Sequence, residues 1–458
     1  MSYDAFVREK LAYVRPVGLS RFDLPSGLFP HQVDLTTWAL KRGRAAIFAD
    51  TGLGKTRMEL AFADAVVKSG AGDVLILAPL AVAAQTAEEA AKIGIACRQC
   101  ADGADVEPGI TITNYDRLHR FDTNRFAGVV LDESSIIKHH DSKTLRLLLD
   151  AFRQTPYKLC ATATPAPNDW VELGTHAEFL GICTQAEMLA EFFVHDGGDT
   201  QTWRLKGHAQ KAFWQWVASW GALIRSPADL GHDASAYELL PLHVTQHTVD
   251  VGAETIGQLF AVEAQTLSER RDARRGSVTE RVSECAARVN GDSEPWIVWC
   301  ELNAEGDELR KLIPDAVEIR GSDDRDVKER RLMDFAHGRI RVLITKPSIA
   351  GFGLNFQHCA NMAFVGVTDS WESYYQAVRR CWRFGQTRPV HVHIFASSLE
   401  GSVVANLQRK ERDAKAMADA MSAETLEAVR AEIFGAQRQS NPYNAAQPIT
   451  VPAFLRAA

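Results

Sequence analysis

The chain contains 458 residues, of which 46% are hydrophobic and 24% charged. These proportions are ordinary for globular proteins, and they exclude both a single small module and disorder over most of the chain. At roughly 100–200 residues per domain, two or three domains are expected. The 51 Lys and Arg residues against 58 Asp and Glu residues give a formal net charge of -7. This balance argues against a polycation that coats nucleic acid or acidic membranes, although a local basic groove remains compatible with it.

The cysteines and the apolar runs indicate a reducing compartment and no membrane segment. Cys97 and Cys100 form a CxxC pair, but no second pair with metal-ligand spacing follows among the eight cysteines. We interpret them as buried or incidental thiols, with a zinc or redox site as the alternative. The N-terminus lacks the residue order of a signal peptide, and the longest apolar run, 74–84, is far shorter than the roughly 20 residues that span a bilayer. We therefore expect a cytoplasmic protein.

In the first half of the chain, short apolar runs alternate with segments of helical periodicity. We predict strands at 45–49, 74–78, 110–113, 129–131 and 158–161. Between the first two lies a predicted helix, 56–68, where Met58, Phe62 and Val66 recur at helical spacing. Alternation of this kind is typical of parallel strands joined by crossover helices. The sequence therefore predicts an open α/β domain over residues 1–186.

A second series of the same kind begins after residue 290. Its predicted strands lie at 296–299, 316–319, 341–345, 362–365 and 390–395. We expect residues 291–435 to form a second α/β domain that ends in an amphipathic helix at 425–434. The remaining residues, 436–458, are expected to form a loosely ordered tail.

The segment 187–290, between the two series, lacks the alternation of strands and helices. We predict that it forms a helical protrusion followed by a linker. It carries four tryptophans, Trp203, Trp214, Trp216 and Trp220. These rings could stack bases or wedge a duplex. The helical spacing of Trp216 and Trp220 favours the other interpretation, in which they pack the core of the protrusion.

The strongest chemical signal is Ala-Asp-Thr-Gly-Leu-Gly-Lys-Thr at 49–56, between a predicted strand and a predicted helix. This is the context that a phosphate-binding loop requires. Gly52 and Gly54 let backbone N–H groups converge on phosphates. Lys55 supplies a cation to the outer phosphates, and the Thr56 hydroxyl can ligate Mg²⁺. Ala49 stands where this pattern usually has its first Gly. A glycine-rich turn without a ligand is the alternative, and the match favours nucleotide binding.

The second signal is Val-Val-Leu-Asp-Glu-Ser-Ser at 129–135, which places two adjacent acids at the end of an apolar strand. Mg²⁺ prefers few carboxylates and several retained waters, so Asp132 can hold the metal while Glu133 polarises the attacking water. Acids at strand ends are also common as helix caps. The phosphate loop earlier in the chain favours the catalytic interpretation.

The third signal is Gln-Ala-Val-Arg-Arg-Cys-Trp-Arg-Phe-Gly-Gln at 376–386. Arg380 and Arg383 are three residues apart and share one helical face. Two guanidinium groups on one face can stabilise charge on a transferring phosphoryl group. A basic helix face exposed to solvent or bound to nucleic acid is the alternative.

In order and spacing, these motifs resemble those of superfamily 2 helicases and translocases, and among them the Snf2-type branch. The resemblance extends from about residue 28 to 396, and further segments contribute to it. The segment 29–32 is similar to the adenine-sensing glutamine motif, 75–80 and 112–118 to the motifs that grip a nucleic-acid strand, and 161–165 to the motif that couples hydrolysis to movement. The segments 343–356 and 376–386 resemble the fifth and sixth motifs. The resemblance implies two RecA-like parallel-sheet domains with a helical insertion between them.

The resemblance also implies ATP and Mg²⁺ as cofactors, and it assigns residues to roles. Catalysis is expected from Lys55, Asp132, Glu133, Arg380 and Arg383. Contacts to ATP are expected from Gln32, Thr51, Gly52, Leu53, Gly54, Lys55, Thr56, Gly353 and Gln376. Metal binding is expected from Thr56 and Asp132, and coupling between hydrolysis and movement from Thr162 and Thr164. Contacts to nucleic acid are expected at strand ends, where any residue can instead be a cap or turn residue: Pro79, Thr113, Asn114, Thr345, Lys346 and Asn355.

Two departures from the family pattern concern the coupling. Ser135 stands where His or Asp commonly links hydrolysis to the coupling motif, and Phe352 interrupts what is usually a Gly pair. The chain also lacks recognisable chromatin-reading or nuclease modules. A compact bacterial or phage-type member is expected.

The resulting hypothesis is an ATP-driven translocase that moves along nucleic acid, with duplex DNA favoured over single-stranded DNA or RNA. A replication, recombination or nuclease protein would be its partner. One alternative is a helicase that separates strands of RNA or forked DNA. Another is an ATP-dependent DNA clamp or scaffold that recruits a partner without moving.

Overall fold

The structure is a computed structural model that describes residues 18–79, 82–167, 169–196, 199–249, 275–350, 354–366, 370–398 and 401–435. Three predicted features lie outside these residues: Gly353, Phe352 and the tail 436–458. Residues 250–274 of the predicted linker also lie outside them. All eight cysteines are free thiols, and burial raises the pKa of both Cys97 and Cys100.

The first half of the chain supplies one parallel sheet. Its first six strands are β1 Arg44–Ala49, β2 Asp73–Ala78, β3 Cys97–Gln99, β4 Ile110–Asn114, β5 Phe126–Asp132 and β6 Tyr157–Thr162. The next two strands, β7 Phe193–Asp196 and β8 Asp199–Leu205, pair only with each other, antiparallel. The seventh strand of the sheet is β9 Gly221–Ile224. The sheet has seven strands in the order β3-β4-β2-β5-β6-β1-β9, and all of its pairs are parallel. The five strands predicted in this half of the chain all belong to it.

Helices cover both faces of this sheet. They are α1 Pro30–Arg42, α2 Lys55–Lys68, α3 Val82–Lys92, α4 Lys143–Ala151, α5 Leu173–Leu180, α6 Gln185–Phe192 and α7 Gln210–Trp220. Successive side chains of β1 alternate between two cores: Ala46 and Phe48 pack in one, Ala45 and Ile47 in the other. This burial on both faces explains why the strands read as continuous apolar runs.

The second half supplies another parallel sheet. Its strands are β10 Leu242–Val249, β11 Trp296–Cys300, β12 Ala316–Glu318, β13 Val342–Thr345, β14 Asn361–Val365 and β15 Val390–Ser397, in the order β10-β15-β14-β11-β13-β12. Its helices are α8 Val278–Asn290, α9 Asn303–Leu312, α10 Arg325–Ala336, the short α11 Pro347–Ala350, α12 Trp371–Val378 and α13 Gly401–Phe434. Ile297 and Trp299 pack on one face of the sheet, and Trp296 and Val298 on the other. The chain therefore has two RecA-like α/β domains, here called the first and second domains.

The segment 187–290 differs from the predicted helical protrusion. Strand β9 pairs with β1 and completes the first sheet, whereas β10 pairs with β15 at the edge of the second. Trp214 and Trp220 are 1% and 0% exposed and lie in the core of the first domain. The apolar face of α7 drives this packing, because each large aromatic ring gains most when it is fully removed from water. Trp214, Trp216 and Trp220 are therefore packed, but the expected core of a protrusion is wrong, because the core they fill belongs to the first domain.

The last helix is much longer than the predicted 425–434. Helix α13 covers 34 residues and runs from the second domain back to the first, where it packs against α7 and β9. Val429 lies in the core of the first domain. Arg430 donates hydrogen bonds to the carbonyl oxygens of Ala228 and Asp229. The domains are thus joined twice, by the chain before β10 and by this helix.

None of the helices in the described part of the chain is long and apolar enough to cross a membrane.

Candidate functional site

The segment between β1 and α2 forms a glycine-rich turn at the carboxyl end of the first sheet. Gly52 and Gly54 have positive φ angles of 97° and 81°, which glycine adopts without strain. Gly54 precedes the first turn of α2, so the N–H groups of that turn point into the space above the loop. The Lys55 Nζ donates a hydrogen bond to the Ala49 carbonyl at 2.9 Å. Burial lowers the pKa of Lys55, and the charge of Glu133 is the largest of the effects that oppose this shift.

The two adjacent acids lie at the end of β5, beside this loop. Asp132 and Glu133 are 5% and 7% exposed. Burial, followed by the charge of Glu133, raises the pKa of Asp132 to about 7. Glu133 is the only residue other than glycine with a positive φ angle, 51°, in the described part of the chain. Its Oε2 is buried without a hydrogen-bond partner. Backbone strain together with an unsatisfied buried oxygen is typical of a functional position.

A third acid, Glu59, lies behind the loop on α2, one turn after Lys55. It is fully buried, and burial beside Asp132 raises the pKa of Glu59 well above its ordinary value. Neither of its carboxylate oxygens has a hydrogen-bond partner. Within the described ranges, no three or more His, Cys, Asp or Glu side chains are grouped so that they could hold a metal ion.

Arginines of the second domain face these acids across the space between the domains, here called the cleft. Arg380 is 2% exposed, and its Nη2 lies 3.9 Å from Glu133 Oε1. It donates hydrogen bonds to the carbonyl oxygens of Gln376 and Leu354 and to Gln376 Oε1. Arg383 donates to Leu354 O at 3.2 Å. Burial, followed by the charge of Arg380, lowers the pKa of Arg383 to about 9. Crowded cations of this kind favour an anion between them.

The predicted coupling residues connect the two domains directly. Thr162 Oγ1 accepts a hydrogen bond from the Thr164 N–H at 3.2 Å. Thr164 Oγ1 in turn accepts one from Gln376 Nε2, also at 3.2 Å. Gln376 and Arg380 lie four residues apart and also bond each other, so a shift of this turn moves both.

A cavity of about 510 Å³ opens on the phosphate loop between the domains. It is lined by residues of the loop, of both domains and of the connection between them, including Gln32, Gly52, Thr56, Tyr237, Arg383 and Phe384. Its volume lies within the range of small-molecule sites. The rings of Tyr237 and Phe384 stack with centroids 4.5 Å apart.

Gln32 contacts the loop itself in this structure. Its Nε2 donates to Leu53 O at 3.0 Å, and its Oε1 accepts from the Phe29 N–H at 3.1 Å. A Cβ atom at Gly54 would collide with the Gln32 amide. Thr51, the other predicted loop contact, has its N–H bonded to Asp50 Oδ1 at 2.6 Å.

The residues predicted to contact nucleic acid fall into two groups. Thr113 and Thr345 are 1% and 0% exposed, and the Thr345 hydroxyl donates to Ile319 O. These two side chains are therefore inside the sheets, because alternate residues of a strand covered on both faces are all buried. Asn114 is also buried, with an unsatisfied Oδ1 at the end of β4. Residues Pro79, Lys346 and Asn355 are partly exposed.

Asn355 also connects the two domains. Its backbone N–H donates to Gln85 Oε1 at 3.0 Å, and its carbonyl oxygen accepts from Gln85 Nε2 at 3.4 Å. Gln85 is a residue of α3, in the first domain.

Sequence reasoning missed several residues that the fold brings to the cleft. Asp50 and Arg379 adjoin motif residues that were identified, and they pair across the cleft at 3.1 Å. Glu59 was detectable as an acid on the buried face of a predicted helix. Tyr237 offered no signal, because only the tertiary structure brings this connecting segment to the loop. His176 was also missed. Its Nε2 lies 3.1 Å from Ser134 Oγ, next to Ser135, where the sequence departs from the family pattern.

Comparisons with known proteins match both halves of the cleft. The SNF2-related domain matches residues 31–195, and the Helicase conserved C-terminal domain matches residues 286–385. Protein p41 of Acyrthosiphon pisum secondary endosymbiont phage 1 is 24% identical over 459 residues, which cover 84% of this chain and 96% of that protein. Among solved structures, the Sulfolobus solfataricus SWI2/SNF2 ATPase core in complex with dsDNA is 18% identical, with 91% of this chain and 98% of that chain covered and a TM-score of 0.41.

Proposed function

We infer that this chain uses ATP hydrolysis in its cleft to move along duplex DNA. The chain belongs to the Snf2-type branch of the superfamily 2 helicases and translocases, and it is an ATP hydrolase of that family. One observation supports this most strongly: Arg380 of the second domain lies 3.9 Å from Glu133 of the first. Groups of opposite charge that meet only when two domains close can turn a chemical step into relative motion of the domains.

The phosphate loop and the arginines divide the work on the nucleotide. In this proposal, the N–H groups around Gly52 and Gly54 and the cation of Lys55 hold the phosphates. Lys55 must leave the Ala49 carbonyl to do so, which is a short rotation of a flexible side chain. Arg383 then stabilises the negative charge that develops on the γ-phosphate. The crowding of buried cations around Arg383 supports an anion at this position.

The acids and Thr56 would fit a magnesium ion bound together with the nucleotide. Asp132 offers a carboxylate and Thr56 a hydroxyl, and Glu133 has a buried oxygen with no partner. Mg²⁺ keeps several waters and binds through one or two carboxylates together with substrate phosphates, so it needs no complete cage of protein ligands. When bound, the ion would neutralise charge on the phosphates. Glu133 would orient the attacking water, and although it directly precedes the short helix Ser134–Ile137, its side chain makes no capping hydrogen bond there.

We propose that the bound nucleic acid, here called the track, lies across the carboxyl ends of both sheets. Pro79 follows β2 and Lys346 follows β13, and Asn355 lies where the second domain touches α3. Backbone N–H groups and neutral side chains at these ends can hold phosphates without an excess of Lys or Arg, which is compatible with the net charge of -7. The buried Thr113 and Thr345 would support the strand ends rather than contact the track. Duplex DNA is proposed as the track from the branch to which the chain belongs.

The test is the rate of ATP hydrolysis measured with duplex DNA, single-stranded DNA and RNA at matched nucleotide concentration. We expect duplex DNA to stimulate most, and Glu133→Gln to remove the stimulation with each. Stimulation by RNA or forked DNA alone would favour a strand-separating helicase instead. Displacement of a protein roadblock from duplex DNA in one direction is expected as well. Stimulated hydrolysis without displacement would contradict translocation and favour a clamp.

A further inference from the structure

The first residues of the phosphate loop are held by the second domain. Asp50 Oδ1 accepts hydrogen bonds from the Thr51 N–H at 2.6 Å, from the Tyr375 hydroxyl at 3.2 Å and from Arg379 Nη2 at 3.1 Å. The same Nη2 donates to the Thr51 carbonyl at 2.7 Å. The Asp50 carboxylate and the Thr51 carbonyl are therefore both held by residues more than 300 positions away.

Arg379 is well placed to hold this segment because its own side chain is fixed. The side chain is 5% exposed, and its guanidinium group lies 5.7 Å from the centre of the Tyr375 ring and 5.3 Å from that of Trp382. Cation–π contacts and burial restrict its rotamers, so less entropy is lost when its hydrogen bonds form. A buried charged hydrogen bond is also screened far less by salt than a surface ion pair.

The turn that carries Arg379 presents two different faces to the first domain. Gln376 and Arg380 face the coupling residue Thr164 and the acid Glu133. Tyr375 and Arg379, which are also four residues apart, face the loop at Asp50. The second face contacts no acid at the end of β5, so its role differs from that of the predicted arginine fingers.

We propose that Arg379 is a positioning residue that shapes the phosphate loop from across the cleft, by holding Asp50 and Thr51. The proposal rests on the proposed function in one respect, namely that this loop binds the phosphates of ATP. Gly52 follows directly, so the orientation of the Thr51 peptide groups sets the direction in which the next N–H groups point. The loop then has its phosphate-binding shape only while the second domain is docked. Any ligand that favours docking thereby raises the affinity for ATP, and ATP favours docking to the same extent.

The test compares Arg379→Ala with Arg339→Ala in the full chain. Arg339 pairs with Asp334 inside the second domain and is exposed, so its replacement removes the same charge without touching the first domain. The first measurement is amide hydrogen exchange of peptides that cover 44–58, without nucleotide. We expect exchange in this first-domain segment to accelerate by about tenfold or more in Arg379→Ala and to stay at the wild-type rate in Arg339→Ala. Equal exchange in both variants would overturn the proposal.

The second measurement is the dissociation constant of a fluorescent N-methylanthraniloyl derivative of ATP, without nucleic acid. We expect binding to weaken about tenfold in Arg379→Ala, as for loss of a hydrogen bond to a charged group. Asp50→Asn should have a similar effect, and the double variant should be no worse than the more affected single variant. Arg379→Lys should recover part of the affinity, because it keeps the charge. Additive losses in the double variant, or no recovery with Lys, would contradict positioning through Asp50.

Tyr375→Phe keeps the proposal testable if Arg379→Ala does not fold. It removes only the hydroxyl that reaches Asp50, so the expected acceleration of loop exchange is smaller but in the same direction. Unchanged exchange would count against the proposal. None of these measurements requires hydrolysis. If the wild-type chain hydrolyses no ATP with any nucleic acid, the proposed function fails, and loop exchange and nucleotide binding still decide the role of Arg379.

Discussion

Replacement of Arg383 by Ala separates a catalytic role of this arginine from a structural one. Arg383 lines the cavity at the phosphate loop and donates one hydrogen bond, to Leu354 O at 3.2 Å. Loss of a single hydrogen bond of this kind should cost about 1 kcal/mol of folding free energy. Loss of a cation that acts on developing phosphoryl charge should reduce stimulated turnover by roughly 10³-fold, which corresponds to about 4 kcal/mol of activation free energy. The expected variant is thus nearly as stable as the wild type but almost inactive.

Arg380→Ala provides the contrast. Arg380 donates three buried hydrogen bonds to Gln376 and Leu354, and it lies close to Glu133. Its removal leaves buried acceptors and an acid without their partner, so a stability loss of about 3 kcal/mol is expected along with lost activity. Only Arg383 therefore allows the chemical role to be measured in a protein that is otherwise intact.

The assay measures ATP hydrolysis by Arg383→Ala while duplex DNA is titrated to a plateau, with urea unfolding measured in parallel. Turnover should remain about 10³-fold below the wild type at the plateau, because more DNA cannot replace a missing cation. Full recovery at the plateau would show that Arg383 only grips nucleic acid, and the reasoning above would be refuted.

Three further predictions concern Lys55 and Glu133, the pH dependence of stability, and the packing of Trp220. Lys55→Ala should weaken nucleotide binding, whereas Glu133→Gln should retain binding and lose turnover; near wild-type hydrolysis by Glu133→Gln would show that its assignment is wrong. Burial lowers the pKa of His176 from 6.5 to about 4, so the unfolded chain binds a proton that the folded chain excludes. Stability from this group is therefore complete above pH 6.5 and decreases as the pH falls to 4, by about 3 kcal/mol. Urea unfolding should show a smaller decrease for His176→Gln than for the wild type, and equal decreases would count against this prediction. Trp220→Ala should cost about 3–5 kcal/mol in urea unfolding, because the ring is fully buried against Phe48; a loss under 1 kcal/mol would contradict its place in the core.

The motifs of the cleft could be located from the sequence because each depends on a few consecutive residues. The glycines at 52 and 54 are required by local backbone angles, and the two acids follow a strand that reads as an apolar run. Residues after β1, β5 and β6 lie near one another because parallel strands of one sheet end at the same edge. The ten predicted strands and the two-domain architecture follow from such local patterns.

The division of the segment 187–290 between the two domains depends on contacts with distant parts of the chain. Strand β9 has four residues, Gly-Ala-Leu-Ile, too few for a periodic signal, and it becomes a strand because β1 offers it an open edge. Helix α7 carries tryptophans at helical spacing, a pattern that is the same whether a helix packs in its own protrusion or against a sheet. The outcome depends on the hydrophobic surface available elsewhere in the chain.

The same reason separates the two arginines at 379 and 380. Both stand in one motif, and the sequence alone shows that this motif is basic and lies within the second α/β series, before its last strand. Asp50 and Arg379 are 329 positions apart, and nothing in either segment specifies that they meet. Their contact exists because two sheets, each built from local patterns, dock with one turn between them. Local periodicity thus determined the elements and the motifs, whereas contacts across the cleft depend on packing between distant parts of the chain, which only the folded structure decides.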